Sequence, residues 1–407
     1  MDKLELLAPA GDLEKLKTAI IYGADAVYFG GELFSLRAGA GNLSIDDIKE
    51  AMVFVHEHGC KGYMTINIYP HNDDILLLTD YIKKLESIPI DAFIVSDPGV
   101  ISIIKEIIPD AEIHLSTQAN TTNYVTANFW VKQGISRIVT AREMSLKDIK
   151  LMRSKLPDDI EIESFIHGAM CISYSGRCLL SNFMVGRDAN RGACTHPCRW
   201  KYSLVEEKRP GEYYPIEEDG RGSYIFNSRD MCMIDAIPEL IDAGITSFKI
   251  EGRMKSMYYV ATVVSAYRAA LDEYIANPPG YKYDEDNFKE LCKASHREFT
   301  HGFYFNKPTD EDQNYLTSDY TRDYSFIGLV KGQDEKTGLT IVEQRNKFSV
   351  GDTVEIFGPR TKFYEEEIKE MYNEEGEPIQ DAPHPQQVLK IKFNKIPGEN
   401  FIIRKKR

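Results

Sequence analysis

Eight short apolar runs, each followed by an amphipathic stretch of helical length, occupy the first 275 of the 407 residues. The runs are Leu4–Leu7, Ala26–Phe29, Tyr63–Ile66, Ala92–Val95, Glu112–Leu115, Arg137–Val139, Ile160–Phe165 and Ser247–Ile250. Their β-branched and apolar content predicts strands. The first helical stretch opens at Gly11-Asp12, carries Leu13, Leu16 and Ile20 on one face, and stops at Gly23. The second has Ser44 as N-cap with Asp47 three residues on, and ends at Gly59. The last begins at Ser256 and aligns Val260, Val263, Val264, Tyr267 and Leu271. Eight such units predict an α/β fold, a (β/α)8 TIM-like barrel over residues 1–275, at the usual size of about 250 residues. The competing doubly wound open sheet rarely needs eight regular units.

One interval breaks the rhythm. About eighty residues separate strands seven and eight, and they hold five of the seven cysteines. An insertion after a strand's C-terminal end projects onto the face where barrel enzymes keep their chemistry. The cysteine-rich insertion spans 167–232. Asn277-Pro278-Pro279-Gly280 then breaks the last barrel helix. Residues 276–324 read as linker and connector, with a short helix near Asn287–Lys293. Alternating runs at Phe326–Lys331, Leu339–Gln344, Thr353–Phe357 and Gln387–Phe393 predict a small all-β, barrel-like domain over 325–407.

Charge narrows the partners. The net charge is −14, a bulk field that opposes nonspecific binding to nucleic acid or anionic membrane. Lys, Asp or Glu interrupts every apolar stretch, so no membrane span is expected. The start carries Asp2, Glu5 and Asp12 and does not read as a signal peptide. The expected location is cytoplasmic, where clustered cysteines point to metal or redox chemistry rather than disulfides.

The segment from Glu163 to Tyr202 is ESFIHGAMCISYSGRCLLSNFMVGRDANRGACTHPCRWKY. Its cysteines run C-x6-C-x15-C-x3-C from Cys171 through Cys178 and Cys194 to Cys198, and Cys232 follows 33 intervening residues later. Soft thiolates suit iron–sulfur clusters or zinc. Only Cys194 and Cys198 could form a zinc knuckle, whereas cluster sites tolerate looser spacing. Residue types alone leave cluster and zinc equal. Cys60 and Cys292 read as buried core cysteines.

The segment resembles the signature of the collagenase-like peptidase family. Glu163, Phe165, His167, Gly168, Cys171, Tyr174, Ser175, Gly176, Cys178, Ser181, Arg187, Asn190, Gly192, Cys194, Cys198 and Arg199 fall into register without a gap. Asp230-Met231-Cys232, Phe248-Lys249-Ile250-Glu251-Gly252-Arg253 and the opening Leu7-Ala8-Pro9-Ala10-Gly11 continue the likeness. Members with assigned roles look mostly like RNA or quinone-precursor hydroxylases. The branch this chain resembles converts the tRNA wobble uridine to 5-hydroxyuridine, with prephenate as oxygen source. The resemblance implies a 4Fe-4S cluster on Cys171, Cys178, Cys194 and Cys232, with Cys198 as the alternative fourth ligand. Its implied partners are the anticodon region of tRNA and, further, a paralogous protein.

Three readings follow: a tRNA uridine 5-hydroxylase, a collagenase-like peptidase, and a non-catalytic RNA-binding metalloprotein. The peptidase lacks H-E-x-x-H and G-x-S-x-G, and its only sequence-adjacent candidates are His167 and Cys171, whose thiolate a cluster would consume. For the hydroxylase, His167 and Glu251 at strand ends are the candidate catalytic residues. Arg142 and Arg253 are candidate carboxylate clamps, because a guanidinium fork bonds both oxygens. Glu143, Asn67 and Gln118 also end strands. Arg177, Arg187, Arg191, Arg199 and Lys201 face only Asp188 between Cys171 and Tyr202, with Tyr174, Phe183, Trp200 and Tyr202 interleaved. Arginine for phosphate and aromatic rings for bases make this the expected RNA path. The tail Arg404-Lys405-Lys406-Arg407 is a second candidate phosphate contact.

Overall fold

The computed structural model describes residues 4–37, 41–170, 178–200, 203–204, 214–215, 229–306 and 320–407. Seven parallel strands pair in chain order: β1 (Glu5–Ala10), β2 (Ala26–Gly30), β3 (Lys61–Ile66), β4 (Ala92–Val95), β5 (Ile113–Leu115), β6 (Arg137–Val139) and β7 (Glu161–Ala169). After β7 come three short strands, β8 (Ser203–Leu204), β9 (Tyr214–Pro215) and β10 (Asp230–Cys232). Strand β11 (Ser247–Ile250) then pairs in parallel with both β7 and β1 and closes an eight-stranded barrel.

Helices α1 (Leu13–Ile21), α2 (Ile45–Glu57), α3 (Ile75–Leu85), α4 (Pro98–Ile107), α5 (Tyr124–Lys132) and α6 (Leu146–Arg153) each follow a strand. Helix α7 (Leu180–Val185) lies in the cysteine insertion, and α8 (Ile237–Asp242) and α9 (Met257–Ala276) flank β11. The N-caps legible in the sequence are realised. Asp12 Oδ1 accepts from the Lys15 amide at 2.9 Å, and Ser256 Oγ from the Tyr259 amide at 3.2 Å. Ser44 and Asp47 form a reciprocal capping box at 3.1 and 3.0 Å.

Side-chain alternation sorts each strand. Leu6, Ala8 and Ala10 face the helices, while Leu7 joins Ala26, Tyr28, Tyr63, Ala92 and Ile94 inside the barrel. The lower interior is ionic. Fully buried Arg137 reaches Glu5 at 2.6 Å, Glu163 at 3.2 Å and Glu161 at 2.7 Å. Lys249 meets the other Glu163 oxygen at 2.5 Å.

The short helix expected near Asn287–Lys293 is α10 (Glu285–Lys293); it packs against α9, and Leu291, Ala294 and Tyr304 join the barrel's hydrophobic core. Strand β12 (Phe299–Thr300) pairs with β10, which itself runs antiparallel to the extended end of β7. In the basic tail Arg404 is taken out of reach of a phosphate, while Lys406 and Arg407 stay exposed. Ile402–Lys406 is a strand between Tyr324–Gln333 and Thr353–Phe357 in the seven-stranded antiparallel sheet of the C-terminal domain.

Within that strand Arg404 is fully buried, bonding Glu355 at 2.7 Å and Glu290 of α10 at 2.7 Å. Lys293 adds a 2.9 Å contact to Glu355, and the Tyr22 hydroxyl donates to the Asn400 carbonyl at 2.8 Å. These bonds fasten the β domain to the end of α1 and to α10. Arg404→Met takes the guanidinium from two buried-side carboxylates, Glu355 and Glu290, and leaves them to share Lys293 alone, at 2.9 and 2.7 Å. The expected loss is about 3 kcal/mol, read as a lower urea midpoint. An unchanged midpoint would remove Arg404 as the fastener. Among the described residues, no helix is long and apolar enough to cross a membrane.

Candidate active site at the barrel mouth

Two adjoining cavities open at the C-terminal ends of the strands. The outer one, of about 150 Å3, is lined by Cys178, Cys194 and Cys198 from the insertion, together with Met170, Met254, Lys255 and Tyr320. The inner one, of about 50 Å3, has Tyr28, Thr65, Asn67, Phe165, Lys249 and Arg253 in its wall. Leu36, Arg37, Gln118, Arg142 and Glu251 line both and form the neck between them.

The neck is strongly cationic. Arg142 Nη2 bonds Glu251 Oε2 at 2.7 Å, and its guanidinium lies 3.9 Å over the Phe165 ring. Burial alone would raise the Glu251 carboxyl, but Arg37, Arg142, Arg253 and Lys249 outweigh it and hold it below the ordinary range. Glu251 is therefore an anion at neutral pH. It anchors Arg142 rather than carrying a proton.

Arg253 is 3% exposed and meets neutral acceptors. Nη1 reaches Ser35 Oγ at 2.8 Å, the Leu36 carbonyl at 2.9 Å and Thr65 Oγ1 at 3.2 Å; Nη2 reaches Asn42 Oδ1 at 2.6 Å. Its Nε has no hydrogen-bond partner among the described residues. Burial pulls the guanidinium down to about 10. Gly30 makes room for it, since a Cβ there would sit 2.1 Å from Arg253 Nη2. Among the described residues no carboxylate lies within ion-pair distance of this buried cation, which leaves it suited to an incoming anion.

The thiol side is built by the insertion. Cys194 Sγ accepts the His196 amide at 3.4 Å. Ser181 and Thr195 bond side chain to side chain at 2.9 Å and tie α7 to the Cys194 turn. Gly192, at φ 90°, packs on Ser35 and Leu36, so the turn rests on the β2–α2 loop that Arg253 holds. Three soft donors on one cavity fit an iron–sulfur cluster or zinc by donor chemistry. Cys171 lies outside the described residues, and no group of three metal-binding side chains is closed among the described ones.

Cys232 is placed elsewhere. Its side chain is buried in β10, 3.7 Å from the Tyr267 hydroxyl, and it borders a different cavity with Asp235, Phe299 and His301. Burial pushes its thiol up to about 12.

His167 is also away from the mouth. Its ring packs on Tyr259, Tyr267 and Phe299 at 5.4 to 6.0 Å, and burial pulls it down to about 3. The pairing of β7 with β11 slips between Phe165 and His167, so two residues of β7 match one step of β11. That bulge turns His167 to the helix side, like Ile250. Gly168 continues the distortion at φ 109°, close against Glu251. Arg187 is exposed; the side chains of Arg191 and Arg199, like Arg177 and Lys201 entirely, lie outside the described set. Glu143 lines neither cavity. Arg37 and Lys249 were not picked out from the sequence. Lys249 could have been, since it alternates with Ser247 and Glu251 on the inward face of β11.

A closed parallel barrel with thiols and buried guanidinium groups around one mouth defines a TIM-barrel protein equipped for chemistry at its strand ends. The chain belongs to peptidase family U32: the family's profile matches residues 11–314, and that of the U32 C-terminal domain matches 322–404. It is 43% identical to the tRNA hydroxylation protein P1 of Bacillus subtilis, over 97% of this chain and 92% of that one. It is 37% identical to the tRNA hydroxylation protein P of Escherichia coli, over 94% and 92%. It is also 32% identical to a collagenase of Porphyromonas gingivalis, over 91% and 90%.

Proposed function

We propose that this chain is an RNA-modifying enzyme that hydroxylates C5 of a tRNA wobble uridine, with prephenate as the oxygen source. The observation that carries the reading is the shared neck. A thiol-lined cavity large enough to admit part of a base opens directly onto a pocket whose buried Arg253 has no carboxylate partner. Names of full-length relatives from two bacteria support RNA hydroxylation as the reaction class.

In this reading Cys171, Cys178 and Cys194 hold a 4Fe-4S cluster with either Cys198 or Cys232. When bound, the cluster supplies one-electron redox chemistry. The chain's own residues do the rest. Arg253 and Arg142 take the carboxylates of the small co-substrate, Glu251 keeps Arg142 in place, and Phe165 supports its guanidinium plane. Exposed Leu179, Met184 and Trp200, with Arg187, offer apolar and cationic surface to an anticodon loop around the mouth. His167 is left out of the chemistry; the histidine in the wall of the thiol cavity is His196.

Nucleoside analysis of tRNA from a deletion strain tests the proposal. In a host with this gene as its single copy, nucleosides derived from 5-hydroxyuridine should disappear, and the intact gene should restore them. Their persistence in the deletion would overturn the substrate assignment.

A further inference from the structure

Two amides end barrel strands at the mouth, and only one is already committed. Asn67 Oδ1 accepts the Leu36 amide at 3.1 Å. Gln118 Oε1 is buried and has no hydrogen-bond partner among the described residues. Yet the Gln118 main chain is firmly placed. It sits in the one-turn 3-10 helix Thr117–Ala119, its amide donates to Ser116 Oγ at 3.3 Å, and its carbonyl accepts the Tyr69 hydroxyl. Thr117 Oγ1 further ties the turn to the Thr140 carbonyl at 3.0 Å. A rigid turn thus presents an unsatisfied amide oxygen at the neck common to both cavities.

Buried polar atoms without partners are uncommon, and each calls for a ligand, a water or a functional reason. The other polar neck residues differ in kind: Arg142 is bound to Glu251, and Arg37 only donates. Among the described neck residues, the glutamine side chain is the one that offers an acceptor and a donor side by side. Uracil presents the matching pair, a donor at N3–H beside an acceptor at O4. Holding that edge leaves the C5–C6 edge uncovered, where the hydroxyl is to be added.

We propose that Gln118 reads the imide edge of the target uracil, Oε1 accepting from N3–H and Nε2 donating to O4. This rests on the tRNA-hydroxylase reading and names the residue that selects the base. Gln118 is a specificity residue in this scheme, with no proton or electron passing through it.

The test is the affinity of the full chain for anticodon stem-loops carrying either uridine or N3-methyluridine at the wobble position. Methylation removes the N3 donor and leaves C5 unchanged. The wild-type protein should bind the methylated stem-loop about 10- to 100-fold more weakly, the cost of facing a buried acceptor with no donor. Gln118→Ala should bind both about equally, and Gln118→Glu, which keeps an acceptor but loses the donor to O4, should bind uridine more weakly yet still reject the methylated base. Equal binding of the two stem-loops by the wild type, or retained discrimination in Gln118→Ala, would overturn the assignment. A wild-type protein that binds the uridine stem-loop no better than duplex RNA of equal length would instead sink the tRNA reading, and this assignment with it.

Discussion

Serine in place of Cys178 or Cys194 is expected to remove most of the iron from anaerobically purified protein. A four-thiolate cubane requires about four iron and four sulfide per chain, and losing one ligand opens a corner to solvent. Cys171→Ser should behave alike. Cys60→Ser and Cys292→Ser should keep the metal, since Cys60 donates to the Ala24 carbonyl at 3.4 Å and Cys292 lies on α10, both apart from the mouth. Stoichiometric zinc without labile sulfide would overturn the cluster in favour of a structural zinc site. The fourth ligand is decided by the remaining pair. Iron lost in Cys198→Ser and kept in Cys232→Ser assigns Cys198, which already shares the cavity. The reverse assigns Cys232 and requires its thiol to leave the Tyr267 hydroxyl and emerge from the barrel wall.

Arg137→Met is expected to cost about 3–5 kcal/mol of unfolding free energy, the range for removing one partner from a buried charge cluster. Arg137 is 2% exposed, and three carboxylates converge on it. Methionine fills much of the volume, so the loss reports uncompensated charge rather than a cavity. The variant should also change the pH dependence. Burial would raise the Glu163 carboxyl, but Lys249 and Arg137 outweigh it and hold it low; Glu5 is likewise held low against burial, by Arg137, Tyr63 and Ser247. Carboxyls depressed in the folded state bind fewer protons than in the unfolded chain. Their stabilisation is complete above the ordinary glutamate value of about 4.3 and is lost as pH falls through the depressed values. Denaturant titrations from pH 7 down to pH 3 should therefore show a shallower acid decline in Arg137→Met than in the wild type. A variant within about 1 kcal/mol of wild type would mean that the cluster contributes specificity rather than stability.

Both experiments address residues whose importance was unevenly visible beforehand. Cys178 and Cys194 stand out from spacing alone. Arg137 reads as an ordinary residue of a short strand, because its partners Glu5 and Glu163 lie 132 and 26 positions away.

Local periodicity carried the barrel. Ala92–Val95, Arg137–Val139 and Ser247–Ile250 coincide with the strands observed, and Asp12, Ser44 and Ser256 cap the helices they precede. These features depend on neighbours within four residues, so composition and spacing record them. The same holds for the insertion after strand seven, which brought Cys178, Cys194 and Cys198 to the mouth.

Long-range packing decided the rest. One slipped step between β7 and β11 turned His167 from the mouth to the α9 side, and periodicity cannot register a slip that depends on the partner strand. The basic tail became a strand because Glu355 and Glu290, far apart in sequence, bury Arg404 between them. Arg253 and Gln118 looked alike as polar strand ends beside Glu251 and Asn67. Only the folded chain shows that Glu251 and Asn67 are satisfied within the protein, while the Arg253 Nε and the Gln118 Oε1 are buried without a partner among the described residues. Sequence fixes which residues can hydrogen-bond; the tertiary contacts determine which of them remain to bind something else.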